Sequence, residues 1–197
     1  HFENLKPSTD YEEILVNKRN GRGKEALQID KIHAMVGFAT DGITGVSASH
    51  VEMNSGIQLF DGISTADIQQ ILIKSANDLI TLESPNYQYV AARLLLFSLR
   101  KQLFHRLWDH PKLIDHIKKL IEMGLYDKDI LVNYDESEID RMDMWIDHER
   151  DYNFTYAGLR QVMDKYLVQD RSTGDIFETP QFMYMMISAT LFAQYPK

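Results

Sequence analysis

Apolar positions along this 197-residue chain recur mostly every three or four residues, the spacing of one helix face, and two short stretches near the start break that rhythm. Ile14-Leu15-Val16 and Glu25-Ala26-Leu27-Gln28-Ile29 flank Lys18-Arg19-Asn20-Gly21-Arg22-Gly23-Lys24. A turn rich in Gly and Asn between two β-prone runs predicts a hairpin. Asp30 is placed to N-cap a helix in which Ile32, Met35, Val36 and Ala39 share a face, with Gly42 ending it. Ser47 or Ser49 opens a second helix holding Val51, Met53, Ile57 and Leu59. Ser64 with Asp67 three residues on has the form of a capping box for a helix from Thr65 to about Leu82. Ser84-Pro85 opens a fourth, running to about Phe104.

The pattern then resumes after Asp109. Pro111 opens a helix ending at Met123-Gly124, and Asp135 with Glu138 caps one through Met142 and Trp145. Tyr166 to Gln169 and Ile176-Phe177, joined by Asp170-Arg171-Ser172-Thr173-Gly174-Asp175, predict a second hairpin. Thr179-Pro180 caps an apolar helix through Met183, Met186, Ile187, Leu191 and Phe192. Residues 1–12 lack periodicity and read as a tail. No Gly/Ser linker divides the two helical stretches, so they are expected to pack together, and no internal repeat is visible.

Composition changes this picture in three respects. Hydrophobic residues make up 44% and charged residues 25%, with no apolar run of about 18 residues that could span a membrane. A net charge of −8 disfavours nucleic acid as a general partner. The absence of cysteine removes disulfides, zinc ribbons, iron–sulfur ligation and thiol catalysis by this chain, and fits a reducing compartment.

Within this acidic chain, residues 14–31 carry Lys18, Arg19, Arg22, Lys24 and Lys31 against Glu25 and Asp30, a local net of +3. Gly21 and Gly23 let backbone N–H groups approach an anion, and the nearby helix start adds partial positive charge, so a triphosphate site is one reading. A solvated hairpin turn is the commoner source of such a patch. The pattern is not a Walker A loop. His105, His110 and His116, with Asp109 and Asp115, lack H-E-x-x-H spacing and are expected at the surface or as caps rather than around a metal. Asp143, Asp147, His148, Glu149 and Asp151 read as a solvated acidic face. Met183, Tyr184, Met185 and Met186 read as core or subunit interface.

The residues also carry a resemblance. Val16-Asn17-Lys18-Arg19-Asn20-Gly21 followed by Ile29-Asp30-Lys31-Ile32 is similar to the opening of an ATP-cone. Gln58 to Ile68 and Tyr87 to Leu95 look like the later cone helices of class I ribonucleotide reductase large (alpha) subunits. Ile146 to Asp151, Phe154-Thr155-Tyr156, Lys165 to Gln169 and Glu178 to Phe182 resemble the start of the catalytic body. The ordered set covers about residues 13 to 197.

That resemblance implies a mainly α (α+β) fold: a β-hairpin plus four-helix ATP-cone over 13–102, then the helical start of the reductase body with a second small hairpin over 103–197. It implies ATP or dATP as allosteric effector, with Mg²⁺. Lys18 and Arg19 would meet the phosphates and ribose. Glu25, Ala26, Leu27, Gln28, Ile29, Asp30 and Lys31 would line the site, with Lys31 on phosphate. Thr65 and Lys101 match further nucleotide contacts, and Asp67 matches a position tied to telling ATP from dATP. The sequence departs from the pattern in a turn one residue longer, and at Gln69 and Ser98, where bacterial relatives use histidine.

The implied partners are the remainder of the large subunit, on the same or another chain, a radical-generating small subunit and adenine nucleotides, in an oligomeric cytoplasmic enzyme. The family reduces ribonucleoside diphosphates with cysteines, and none is present here, so no catalytic residue is expected in this chain. The chain stops at Lys197 directly after its most apolar helix, which predicts a truncated or split subunit. Two alternatives stand beside it: a helical interaction protein with a degenerate nucleotide site, and an ATP-cone transcriptional repressor. The second needs a zinc ribbon that a cysteine-free chain cannot build.

Overall fold

The computed structural model describes residues 15–18, 23–56, 62–105 and 109–195. Strands β1 (Leu15–Asn17) and β2 (Lys24–Ala26) pair antiparallel with Val16 opposite Glu25. Helices α1 (Ile29–Thr40), α2 (Ala48–Ser55), α3 (Thr65–Asp78) and α4 (Tyr87–Phe104) follow. Next come α5 (Leu113–Glu122), α6 (Ile130–Asn133) and α7 (Glu136–Trp145). A 3₁₀ segment (His148–Asn153), α8 (Tyr156–Lys165) and α9 (Pro180–Leu191) complete the order. The mainly helical, hairpin-led fold is the one expected, and no described helix is long and apolar enough to cross a membrane.

Helix ends differ in detail from the sequence signals. Gln28, not Asp30, is the N-cap of α1; Asp30 sits in the first turn, where its charge suits the helix dipole. Ser47 caps α2, which stops at Gly56 in the left-handed region (φ 52°), while Ile57 and Leu59 lie outside the described residues. Helix α3 ends at Asp78, before Leu82, which is fully exposed. Helix α4 starts two residues after Pro85, because Gln88 and Tyr89 donate to Pro85 O and Asn86 O in tight turns. The capping box on α7 is present in full, with Asp135 and Glu138 each accepting the other's backbone N–H. The second hairpin is reduced to a single bridge between Gln169 and Ile176. The Val168 N–H goes to Glu178 Oε1 (2.8 Å) instead of across the ladder, which ends the pairing there.

Two apolar cores hold these elements. The first gathers Val16, Val36, Val51, Leu72 and most of α4, and continues through Leu159 and Met163 of α8 to Met183 of α9. The second joins α5, α6 and α7 to Phe182 and Ala189. Met183 lies in the first core and Met185 and Met186 pack partly buried on the second.

Two sequence expectations are corrected here. The acidic stretch is a solvated face only in part: Asp147 and Glu149 are exposed, but Asp143 Oδ1 accepts the Leu113 N–H at the start of α5, and Asp151 is 1% exposed. His116 is buried and stacks on Phe182 at 4.4 Å, and His110 stacks flat on His148 at 3.7 Å. Only His105 caps, at the C-terminus of α4. No group of three or more His, Asp or Glu among the described residues is placed to hold a metal.

Burial pushes the His116 imidazole down to about 4. Burial, with His110 and the Arg100 guanidinium nearby, pushes His148 down to about 3. Burial pushes the Asp151 carboxyl up to about 6, against Gln181 and Arg100. On unfolding, each histidine takes up a proton below its ordinary value near 6.5, whereas Asp151 gives one up. Between about pH 4 and 6 the unfolded chain therefore binds more protons from these groups, and stability falls as pH falls. The thermal midpoint is expected to drop from pH 7 to pH 5, with each histidine costing about 2 kcal/mol at pH 5. His116→Phe, which keeps a ring on Phe182, should shrink that drop; an undiminished drop would count against a buried neutral imidazole. Ser64 Oγ accepts the Asp67 N–H at 3.0 Å as the cap of α3. Urea unfolding of Ser64→Ala should show a loss of about 1 kcal/mol.

Candidate functional site

The hairpin is pinned beside the start of α3. Asn17 N donates to Ile63 O (3.0 Å), Gly62 N to Leu15 O (2.7 Å), and Asn17 Nδ2 to Gly62 O (2.6 Å). Gly62 takes φ 89°, a conformation that a side chain resists, and its position lies against Asn17. These bonds bring Lys18, at the end of β1, near Thr65 in the first turn of α3. Lys18 N donates to Gly23 O (2.9 Å), closing the turn between the strands. Helix α1 starts immediately after β2, so its N-terminus opens into the same space, and Lys101 arrives from the last turn of α4.

The result is a cavity of about 360 Å³, within the range of small-ligand sites. Lys18, Lys31 and Lys101 all line it. Lys18 Nζ pairs with Glu25 Oε2 at 2.9 Å. That hydrogen bond, with the fields of Lys18, Lys31 and Lys101, holds the Glu25 carboxyl below its usual range. Both side chains are partly solvated, so the pair contributes little stability by itself; it reports instead that three ammonium groups converge on one carboxylate. Gln28 makes no side-chain cap bond, which leaves the first-turn N–H groups of α1 without that competitor. An apolar strip of Val16, Ile32, Met35 and Ile68 forms the rest of the wall. A cationic end and an apolar end suit a flat ring carrying an anionic chain.

Among the residues singled out from sequence, Lys18, Glu25, Ala26, Leu27, Gln28, Lys31, Thr65 and Lys101 come together around this cavity. Ile29, Asp30 and Asp67 do not line it. The Asp67 carboxylate instead accepts the Ser64 hydroxyl at 2.6 Å, fixing the turn that carries Thr65. Arg19 lies outside the described residues. Gln69 is buried in the wall with its Nε2 3.8 Å from Met35 Sδ, whereas Ser98 lines a neighbouring cleft.

Sequence reasoning missed Val16, Ile32, Met35, Ile68 and His105 as lining residues. The i, i+3 spacing of Ile32 and Met35, and the i, i+2 spacing of Val16 and Lys18, were usable signals. His105 gave none, since it reaches the cavity only by ending α4 at φ 60°. Two other clefts are chemically different: among the described residues, one carries Asp127, Asp129 and Glu178 without Lys or Arg, and the other carries Lys119 as its one full cation.

A family model described as the ATP cone domain matches residues 14–102, and one described as the ribonucleotide reductase all-alpha domain matches residues 152–196. The chain is 48% identical over 184 residues to the ribonucleoside-diphosphate reductase subunit alpha of Haemophilus influenzae, and 47% identical over 184 residues to the ribonucleoside-diphosphate reductase 1 subunit alpha of Escherichia coli. It is 40% identical over 183 residues to the corresponding subunit of Enterobacteria phage T4. The first two alignments each cover 93% of this chain and 24% of the relative, and the third 92% and 24%. The chain thus spans about a quarter of the length of the curated relatives it matches. With both family matches in the same order and identity running through nearly all of its residues, this chain belongs to the ribonucleotide reductase large-subunit family, as the counterpart of its members' N-terminal quarter.

Proposed function

We propose that the chain is the N-terminal regulatory portion of a ribonucleoside-diphosphate reductase large subunit, and that its cavity binds ATP or dATP to control overall activity. The observation that carries this reading is the convergence of Lys18, Lys31 and Lys101 on one cavity inside the stretch matched as an ATP cone. Phosphates sit against these lysines and the α1 N-terminus, with Arg19 assigned to the same task. The ring lies on Val16, Ile32, Met35 and Ile68, and Thr65 and Gln69 offer hydrogen bonds to ribose or base. Asp67 acts on ATP-versus-dATP preference through Ser64, by setting the turn that presents Thr65.

Among the described residues Glu25 is the one carboxylate lining the cavity, and Lys18 holds it. A site of this kind suits Mg²⁺ carried mainly by the phosphates rather than a protein-built cage. In the assembled enzyme, ribonucleoside diphosphates are reduced on cysteines outside this chain, which has none, with a radical-generating small subunit as partner. ATP favours activity and dATP an inhibited oligomer. That control requires the two nucleotides to bind two assemblies with different affinity ratios, since equal ratios shift nothing.

Calorimetric titration with ATP and dATP in the presence of Mg²⁺ tests the reading. Lys18→Ala and Thr65→Ala are each expected to weaken binding about tenfold or more, with unchanged circular dichroism. Uptake of neither nucleotide by the unaltered chain would leave the cone a structural unit. Chelating Mg²⁺ should weaken ATP binding by about tenfold, because uncompensated phosphate charge then repels itself. An affinity indifferent to chelation would remove the metal from the site.

A further inference from the structure

Arg100 is 2% exposed, although it directly precedes Lys101 in the sequence. Successive helical residues point about 100° apart, so the last turn of α4 sends Lys101 to the cavity and Arg100 into the interior. There Arg100 Nη1 donates to the Tyr152 hydroxyl (2.8 Å) and Nη2 to His148 O (2.6 Å), with the guanidinium 4.9 Å from the Tyr152 ring centroid. The Tyr152 ring also packs on Phe38 of α1 at 5.8 Å. Two of the three helices whose ends line the cavity, α1 and α4, therefore grip the same 3₁₀ segment. That segment holds α9 in turn, through Asp151 Oδ1, which accepts from Gln181 Nε2 at 2.8 Å.

One contact in this chain is incomplete. Asp151 Oδ2 lies 3.6 Å from Arg100 Nη2, beyond hydrogen-bond reach. Asp151 Oδ2 and Arg100 Nε are buried without a hydrogen-bond partner. Unbonded charged atoms in the interior are costly, and a charged N–H···O bond closes at about 2.8 Å. A movement of the α4 end by less than about 1 Å would make that bond, so a closed arrangement lies close in space to the open one the structure holds. Gln181 is bonded to the other oxygen of the same carboxylate and must follow it.

We propose that Arg100, Asp151 and Gln181 form the relay by which occupancy of the Lys101 cavity changes the seating of α9. The proposal rests on the nucleotide reading of that cavity. A ligand anion drawing on Lys101 shifts the turn it shares with Arg100, the ion pair changes arrangement, and the 3₁₀ segment passes the shift to Gln181. None of the three residues lines the cavity, so their role is positioning, separable from binding.

The test is amide hydrogen exchange of residues 180–191, read by mass spectrometry on the full chain with and without saturating ATP and Mg²⁺. In the unaltered chain ATP should change exchange across this helix by about twofold or more. In Asp151→Asn and Gln181→Met, ATP should bind within about threefold of its normal affinity while that ATP-dependent change disappears. A merely structural role would alter exchange equally with and without ATP. Should Asp151→Asn fail to fold, Gln181→Met still severs the relay and leaves the buried pair in place. ATP binding with no change at 180–191, or a change that persists in Gln181→Met, overturns the relay alone. No ATP binding by the unaltered chain overturns the nucleotide reading and the relay with it.

Discussion

The burial of α4 is the constraint on which the rest of the molecule depends. Leu94, Leu95, Leu96, Phe97 and Leu99 are successive or nearly so, yet each is buried, so this helix is enclosed on all sides. It packs on α1 and α3 in front and on α8 and the 3₁₀ segment behind. A close-packed helix of this kind cannot slide or rotate without opening cavities around it. Its last turn is therefore delivered to one place, with Lys101 at the cavity and Arg100 in the interior. A cation at a helix C-terminus is also favoured by the dipole, which suits Lys101 to its position.

The wall opposite α4 is held far more lightly. Two strands of three residues would not persist alone in water, and the hairpin owes its position to the bonds from Asn17 and Leu15 to the Gly62–Ile63 turn. Lys18 thus reaches the cavity from a small element docked on a rigid one, whereas Lys31 and Lys101 stand on α1 and α4. An anion bridging Lys18 to Lys31 and Lys101 would bond the docked part to the rigid part, and so stabilise the arrangement it binds.

The region behind α4 shows how charge and burial interact. Arg100 enters the interior with a carboxylate, a carbonyl, a phenol and an aromatic face around it, yet its contact with Asp151 is not closed. Desolvation is strong enough there to raise Asp151 while lowering His148 and His116. Removing one partner of such a pair costs more than the pair itself contributes, because the other charge stays buried.

Much of the fold was legible because it rests on local chemistry. Helical spacing, Ser47 and Ser64 as caps, the Asp135–Glu138 box and the pairing of the two short strands each act within a few residues, and each appears where the sequence indicates. The cationic cluster of the candidate site was legible as composition, since Lys18 and Lys31 flank one hairpin. Lys101 entered only through the family resemblance, because nothing local marks it as a neighbour of Lys18. The fate of Asp151 and His116 could not be read at all: each lies in a stretch of ordinary polar composition. Whether such a group faces water is decided by Arg100 and Gln181 for one and by Phe182 for the other. By itself the sequence determined, to within about two residues, where helices begin, and which faces are apolar, because those follow from backbone propensity and periodicity. Only the tertiary structure decided which polar groups lose their water, because desolvation depends on neighbours dozens of residues away that no local pattern records.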